Sequence, residues 1–275
     1  MRTRGWRRWL PAAIVASLVL AIAFPFYWAV VSSLAPESQL FRAPALLPSH
    51  LALDHYRALF EERDFWTPIR NSLVVAGTTT AFCVVIGSLC AYALARLQFR
   101  WKGTILAAIL AVTMFPQISI VSPLYLLLRA VGLIDTYPGL ILPYLTFAMP
   151  LTVWLLVGFF RQLPRELEEA AMVDGASRLR AFWEVIVPLS LPGVATTAIL
   201  TLIYCWNEFL FALSFTLGPE RQTVPVAIAL FRGQYQVPWG QILAGAVVAT
   251  APVAALVLIF QRRIVQGLTS GAVKG

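Results

Sequence analysis

The residues best equipped for chemistry gather in one short stretch. Glu166, Glu168, Glu169 and Asp174 lie close together, with Arg165, Arg178 and Arg180 beside them. Clustered carboxylates suit acid–base catalysis only beside a nucleophile or a metal-ligand pattern. No G-x-S-x-G and no H-E-x-x-H occurs, and no carboxylate pair falls within an apolar run. A G-x-x-x-x-G-K-[ST] phosphate loop is missing as well, so this chain does not hydrolyse ATP by that chemistry. The only histidines, His50 and His55, sit in a polar stretch without a ligand pattern and read as solvated loop residues. Cys83, Cys90 and Cys205 lie in apolar runs and read as buried thiols acting as small hydrophobes. The expectation is a chain with no catalytic residues, no metal and no cofactor of its own. The acidic–basic stretch is then a polar island whose work is mechanical.

The surroundings of the island support that reading. The chain has 275 residues, of which 59% are hydrophobic and only 12% charged, against roughly 25% charged in a soluble domain. Six runs lack Asp, Glu, Lys and Arg for 23 residues or more: Leu10–Ala35, Asn71–Ala95, Gly103–Leu128, Thr136–Phe160, Val185–Asn207 and Gly233–Gln261. About 20 mostly apolar residues cross a bilayer core of about 30 Å. Lipid offers no partner for backbone polar groups, so such runs must be helices. The predicted fold is all-α, a polytopic membrane protein with six transmembrane helices. The first run is too long for a signal-peptide core and ends in aromatics, so it reads as a span.

Charge orients the spans. With the N-terminus inside, the inner segments hold 14 of the 21 Lys and Arg residues. The positive-inside rule then puts both termini and the island in the cytoplasm. The net charge of +8 is spread over loops and does not point to nucleic acid. The expected organisation is a basic segment at 1–9, a first span at 10–35 and an outer loop at 36–69. A permease-like core at 70–265 follows, with the island loop at 161–187, and then a tail at 266–275. In the outer loop Asp54 is positioned to cap a short amphipathic helix bearing Tyr56, Leu59, Phe60 and Arg63. Pro116, Pro123, Pro143 and Pro150 interrupt the third and fourth spans and are expected to kink them. A long outer loop is expected at about 215–239.

The island reads as two short helices around a small-residue hinge. Pro164 suits a first helical turn, and Glu166, Glu168 and Glu169 complement the helix dipole. Gly175 suits a left-handed C-terminal position. A second helix runs from Ser177 through Phe182 and Trp183 to Val187, and Pro188 opens the fifth span. Ala170, Ala171 and Ala176 leave a smooth knob able to enter a groove, with Glu169 free to pair with a cation on the far wall.

Glu169-Ala170-Ala171, three residues, Gly175, nine residues and Val185-Ile186-Val187-Pro188 resemble the EAA loop of ABC importer permeases. That pattern prefers Ile and Leu where Val185 and Val187 stand, conservative changes. Asp174 before Gly175 matches the sugar-importing branch. The resemblance covers roughly residues 55–275. Asn71-Ser72, Thr113-Met114-Phe115-Pro116 and Trp206-Asn207-Glu208-Phe209-Leu210 are similar to maltose/trehalose-type permeases, and the C-terminal residues to their second subunit.

The resemblance implies a type I, maltose-permease-like fold and import of a disaccharide, of the trehalose or maltose α-glucoside type. It also implies a homologous permease partner, an extracytoplasmic sugar-binding protein, and two ATPase subunits that carry ATP and Mg. Glu168, Glu169, Ala170, Ala171, Asp174, Gly175 and Pro188 would couple to the ATPase. Polar and aromatic residues in or beside the spans are candidates for the sugar path: Gln117, Ser119, Ser122, Tyr144, Tyr204, Trp206, Asn207 and Glu208. Arg232, Gln234, Tyr235 and Gln236 would meet the binding protein. A secondary transporter, the first rival, would carry ionisable residues inside its spans, and the six runs have none. An intramembrane hydrolase lacks its motifs here.

Overall fold

Long apolar runs become long helices because the backbone has no other partner for its polar groups. In this computed structural model residues 6–40, 47, 50–231 and 237–270 are described, with the backbone alone for 6–8 and 262–270. The elements in chain order are α1 (Trp6–Ser33), α2 (Glu37–Leu40), α3 (Asp54–Glu61), α4 (Trp66–Arg96), α5 (Lys102–Ala111) and α6 (Gln117–Ala130). Then come α7 (Tyr137–Gln162), α8 (Glu166–Val173), α9 (Arg178–Ala181), α10 (Val187–Leu189), α11 (Leu191–Trp206), α12 (Leu210–Phe215), α13 (Val224–Ala229) and α14 (Trp239–Ser270). No strand occurs among the described residues.

Among the described residues four helices are each long and apolar enough to cross a membrane, over Trp9–Ser33, Trp66–Arg96, Tyr137–Gln162 and Trp239–Gln261. Two further candidates are bent pairs, Lys102–Met114 with Gln117–Ala130 at 93° and Arg178–Leu189 with Leu191–Trp206 at 80°. Counting each pair as one span gives six. The third span, expected to kink at its prolines, is broken outright, and the fifth, for which no bend was expected, is broken as well.

The cause of the first break is local. Phe115 precedes Pro116 and is extended, at φ −74° and ψ 129°, because a following proline disfavours the helical region. In the second pair, Pro188 and Pro192 flank Ser190, which sits at the bend. Pro123, Pro143 and Pro150 lie inside uninterrupted helices, so a proline in these runs is not enough to break them.

The chain divides into two compact units. The first is drawn from Met1–Phe65 and Ile228–Ala251. Its α1 exposes almost all of its side chains, as a helix facing lipid would. Asp54 is not the cap of α3 but lies in its first turn, with Leu53 at the N-cap. Leu59 is buried, Tyr56 and Phe60 are half-buried, and Arg63 falls beyond the helix with its guanidinium 4.7 Å from the Phe231 ring centre. His55 is buried rather than solvated: its Nε2 lies 2.9 Å from the Ala35 carbonyl and its Nδ1 3.8 Å from Glu37. Gly240 packs against the His55 ring so closely that a side-chain carbon there would collide with it. His50 is exposed.

The second unit is drawn from Trp66–Ala227 and Pro252–Gly275. It is built on α4 against α7, with α11 packed on both. One apolar cluster holds Val75, Leu140, Tyr144, Phe147, Phe211 and Phe215. A second, toward the Arg96 end of α4, holds Tyr92, Leu156, Phe160, Phe182 and Ile186. Small residues permit the close approaches. Gly193 faces the Phe159 ring, and a side-chain carbon on Gly87 would lie 3.1 Å from Thr152. The Thr152 and Thr201 hydroxyls meet at 2.8 Å, which satisfies two polar groups inside an apolar core.

The expected long loop after Phe215 is largely ordered. Asn71 donates to the Glu220 and Gln222 carbonyls at 2.8 and 2.9 Å and accepts from the Tyr137 hydroxyl at 2.7 Å. Ser72 Oγ accepts from the Val224 N–H at 2.8 Å. The Arg221 guanidinium stacks 4.4 Å from the Tyr137 ring centre. The loop then enters α13, where Val224, Val226 and Ala227 are buried.

Candidate functional site

The helix α8 begins at Glu166, with Arg165 at its N-cap and Pro164 before it, so Pro164 is outside the first turn in which it was expected. Arg165 offers no side-chain cap, but its carbonyl accepts from the Glu168 and Glu169 N–H groups at 3.0 and 3.1 Å. Glu166, Glu168 and Glu169 fill the first turn, where their charge opposes the positive end of the helix dipole.

The helix stops at Gly175, which adopts φ +89°. The Ala176 N–H bonds back to the Ala171 carbonyl at 2.9 Å and the Gly175 N–H to Met172 at 3.1 Å. This pair of bonds is a Schellman ending, which needs a left-handed residue at that position. A side chain on Gly175 would meet open space, so substitution there costs backbone strain and not a clash. Ser177 caps α9 by accepting from the Arg180 N–H at 3.3 Å. The single expected second helix is three pieces: α9, a π-helical turn over Phe182–Ile186, and α10. Pro188 is exposed in α10.

The two adjacent glutamates differ in exposure. Glu169 is exposed, with Ala170, Asp174 and Gly175 beside it. Ala171 is half-buried. Glu168 is turned into the chain and is 5% exposed. Its carboxylate accepts from the Tyr92 hydroxyl and lies 3.9 Å from both Arg96 and Arg178. Arg96, also buried, donates to the Leu163 carbonyl at 2.9 Å. A cleft of about 670 Å³ opens beside these groups, lined by Gln98, Phe99, Arg165, Glu168, Glu169 and Met172 among others.

Sequence reasoning missed Tyr92 and Arg96, whose four-residue spacing in the last turns of an apolar run was the available signal. It also passed over Val173 and Leu179, 87% and 59% exposed on an otherwise polar knob. An aliphatic residue left bare at a helix end beside charges was the sign of them.

The candidates for the sugar path fall into two groups. Gln117 starts α6 directly after the break at Pro116, and its amide donates to the Tyr204 hydroxyl on α11 at 2.8 Å. Ser119 and Ser122 are exposed on α6. The other group is internal. Tyr144 is buried with its hydroxyl 3.5 Å from the Glu208 carbonyl. Trp206 is buried, and Asn207 is exposed with its amide bonded back to Ile203 at 2.8 Å. Glu208 is buried and caps α12, accepting from the Phe211 and Ala212 N–H groups at 2.8 and 3.1 Å. Burial raises the Glu208 pKa above its ordinary value, and the Phe211 N–H and Tyr144 hydroxyl oppose that rise. Arg232, Gln234, Tyr235 and Gln236 lie outside the described residues. Among the described residues no group of three metal-ligating side chains converges.

The described residues form a polytopic helical body with a short polar helical turn at α8 and α9. Residues 83–270 match the family described as binding-protein-dependent transport system inner membrane component. The chain belongs to this family, as a sugar permease of the ABC transporter class and a multi-pass protein of the inner membrane. It is 49% identical to the trehalose transport system permease protein SugB of Mycobacterium tuberculosis, over 98% of this chain and 100% of that one. It is 40% identical to the trehalose/maltose transport system permease protein MalG of Thermococcus litoralis, over 95% of this chain and 96% of that one. Its fold is similar to a chain in the crystal structure of a bacterial ABC transporter that imports the acidic polysaccharide alginate. That match has a TM-score of 0.81 and 21% identity, over 95% of this chain and 98% of the other.

Proposed function

We propose that this chain forms half of the translocation pathway of an ATP-driven disaccharide importer, working by alternating access. Its partners are a homologous permease, two ATPase subunits that carry ATP and Mg, and an extracytoplasmic sugar-binding protein. The substrate is an α-glucoside of the trehalose or maltose type. Residues 168–188 take up the work of ATP hydrolysis on the cytoplasmic side, with both termini on that side. The surface residues that meet the ATPase are Glu169, Ala170, Asp174 and Gly175, with Ala171 partly exposed beside them.

The observation that carries this reading is the bared edge of α8 and its turn. A short helix and turn presenting alanines, an exposed valine and the exposed carboxylates of Glu169 and Asp174 suit insertion into a groove with a cationic wall. Gly175 supports it by turning the chain sharply at the tip. The names of two close relatives support trehalose or maltose, while other relatives are named for other sugars. Gln117, directly after the break at Pro116, and its partner Tyr204 suit a sugar hydroxyl better than the internal group does. The loop around 232–236 is assigned to the binding protein on the resemblance alone.

Reconstitution of the complete transporter in proteoliposomes tests this. Glu169→Lys and Gly175→Val should leave ATP hydrolysis running while uptake is lost. Normal uptake in both would count against the coupling assignment. In the same preparation, binding-protein-dependent ATPase activity should be greatest with trehalose or maltose. A different sugar leading the panel would overturn the substrate assignment and leave the coupling assignment standing.

A further inference from the structure

Force applied to α8 has two routes into the spans. One is the covalent chain, through Leu163 into α7 and through α9 toward α11. The other is side-chain contact with α4, 76 residues earlier in sequence. The second route is dense. Glu168 binds the Tyr92 hydroxyl and pairs with Arg96, both in the last turns of α4. Arg96 reaches the Leu163 carbonyl at the end of α7. The Tyr92 ring lies 4.9 Å, centre to centre, from Phe182 in the π-helical turn, and the Arg178 guanidinium closes the cluster over Glu168. At this corner of the second unit α4 and α9 are tied to one carboxylate directly, and α7 and the π-helical turn are tied to it through Arg96 and Tyr92.

A buried carboxylate with two cationic partners is costly to desolvate and gives little net stability over a packed apolar side chain. What it supplies is directionality. Hydrogen bonds and charge pairs hold one geometry, whereas apolar contacts slide. Glu169 is exposed while Glu168 is buried, so the two carboxylates divide the labour between partner and chain.

We propose that Tyr92, Arg96 and Glu168 are positioning residues that transmit the displacement of α8 to α4, so that the two helices move as one piece. This rests on the assignment of α8 as the ATPase-coupling element. The substitution Tyr92→Phe removes the hydroxyl donor and Glu168→Gln removes the charge pairs with Arg96 and Arg178, and both keep shape: the phenylalanine retains the packing on Phe182, and the glutamine retains volume.

The test uses the complete transporter in proteoliposomes, reading sugar transported per ATP hydrolysed, with copurification of the ATPase subunits as a control. Both variants should assemble, keep ATPase activity and lose roughly tenfold in transport per ATP, the scale of one hydrogen bond to a charged group. A spin-label pair on Ala93 of α4 and Leu167 of α8 should report a fixed distance through the ATP cycle in the parent and a changing one in the variants. Unchanged transport per ATP and an unchanged distance in both variants, while Gly175→Val uncouples, would overturn this proposal and keep the coupling assignment. If Gly175→Val itself fails to uncouple, the coupling assignment falls first. Loss of the ATPase subunits from both variants would make the cluster a folding contact and overturn the proposal as well.

Discussion

Two glutamates in the second unit are buried to a similar degree, Glu168 at 5% and Glu208 at 8% exposed, and they are held by opposite means. The partners of Glu208 include the backbone N–H groups of the next few residues, Phe211 and Ala212, at 2.8 and 3.1 Å. The partners of Glu168 are side chains from α4 and from the segment after Gly175. A carboxylate that caps its own helix fixes local geometry and acts at short range. A carboxylate gripped by distant elements links them, and any movement of one is felt by the others. Burial alone does not separate the two roles; sequence distance to the partner does.

The strongest way to break this contrast is Glu168→Ala. It leaves Arg96 buried with its counter-charge gone, a loss of about 3 kcal/mol for a buried pair stripped of one member. The expected result is a clear fall in the thermal midpoint of the purified complex. Glu208→Ala should cost less, about 1 kcal/mol, the worth of a helix cap. It should also leave transport per ATP intact. Equal falls in the two variants would erase the distinction between linking and capping.

The pH dependence of the Glu208 site sharpens it further. Glu208 has its pKa raised in the folded chain, by burial first. The folded state therefore holds that proton more tightly than the unfolded state does. The stabilising contribution is present below the ordinary carboxylate value, 4.5 here, and is lost as pH rises through the raised folded value. The thermal midpoint should fall over that window, and Glu208→Gln should remove that part of the fall. A scan of midpoint against pH, parent against variant, checks it.

Which parts of this were open to sequence reading follows from the same distinction between near and far partners. The end of α8 at Gly175 was legible because its signals are local: carboxylates first, alanines next, then a glycine that alone takes φ +89° without strain. The direction of Glu168 was not, because Tyr92 lies 76 residues away, and neighbouring glutamates on an eight-residue helix look alike. His55 shows the same limit. Nothing near it in sequence announces a bond to a carbonyl 20 residues earlier. Among the prolines, Pro116 breaks its run and Pro123, Pro143 and Pro150 do not. Each removes one donor, but the packing around the helix decides whether it bends. Asn71 and Ser72 were readable as a matching pair, yet their work of pinning residues 220–224 appears only once those residues are brought to them.

The smallest expected effect comes from a third carboxylate, Glu184, which repeats the chemistry of Glu168 in water. Arg180 donates to both of its oxygens at 2.9 Å, a geometry better than either charge pair of Glu168. The side chains are 65% and 59% exposed, however, and they sit one turn apart. Solvent screens the attraction and the contact joins no distant elements. Arg180→Ala should shift stability by only about 0.3–0.5 kcal/mol. It should leave both the thermal midpoint and transport per ATP near the parent values. A large loss of coupling with little loss of stability would instead place Arg180 on the surface that meets the ATPase. The better-formed pair would then matter for what it offers outward, which is the part Glu169 is assigned and Glu168 is not.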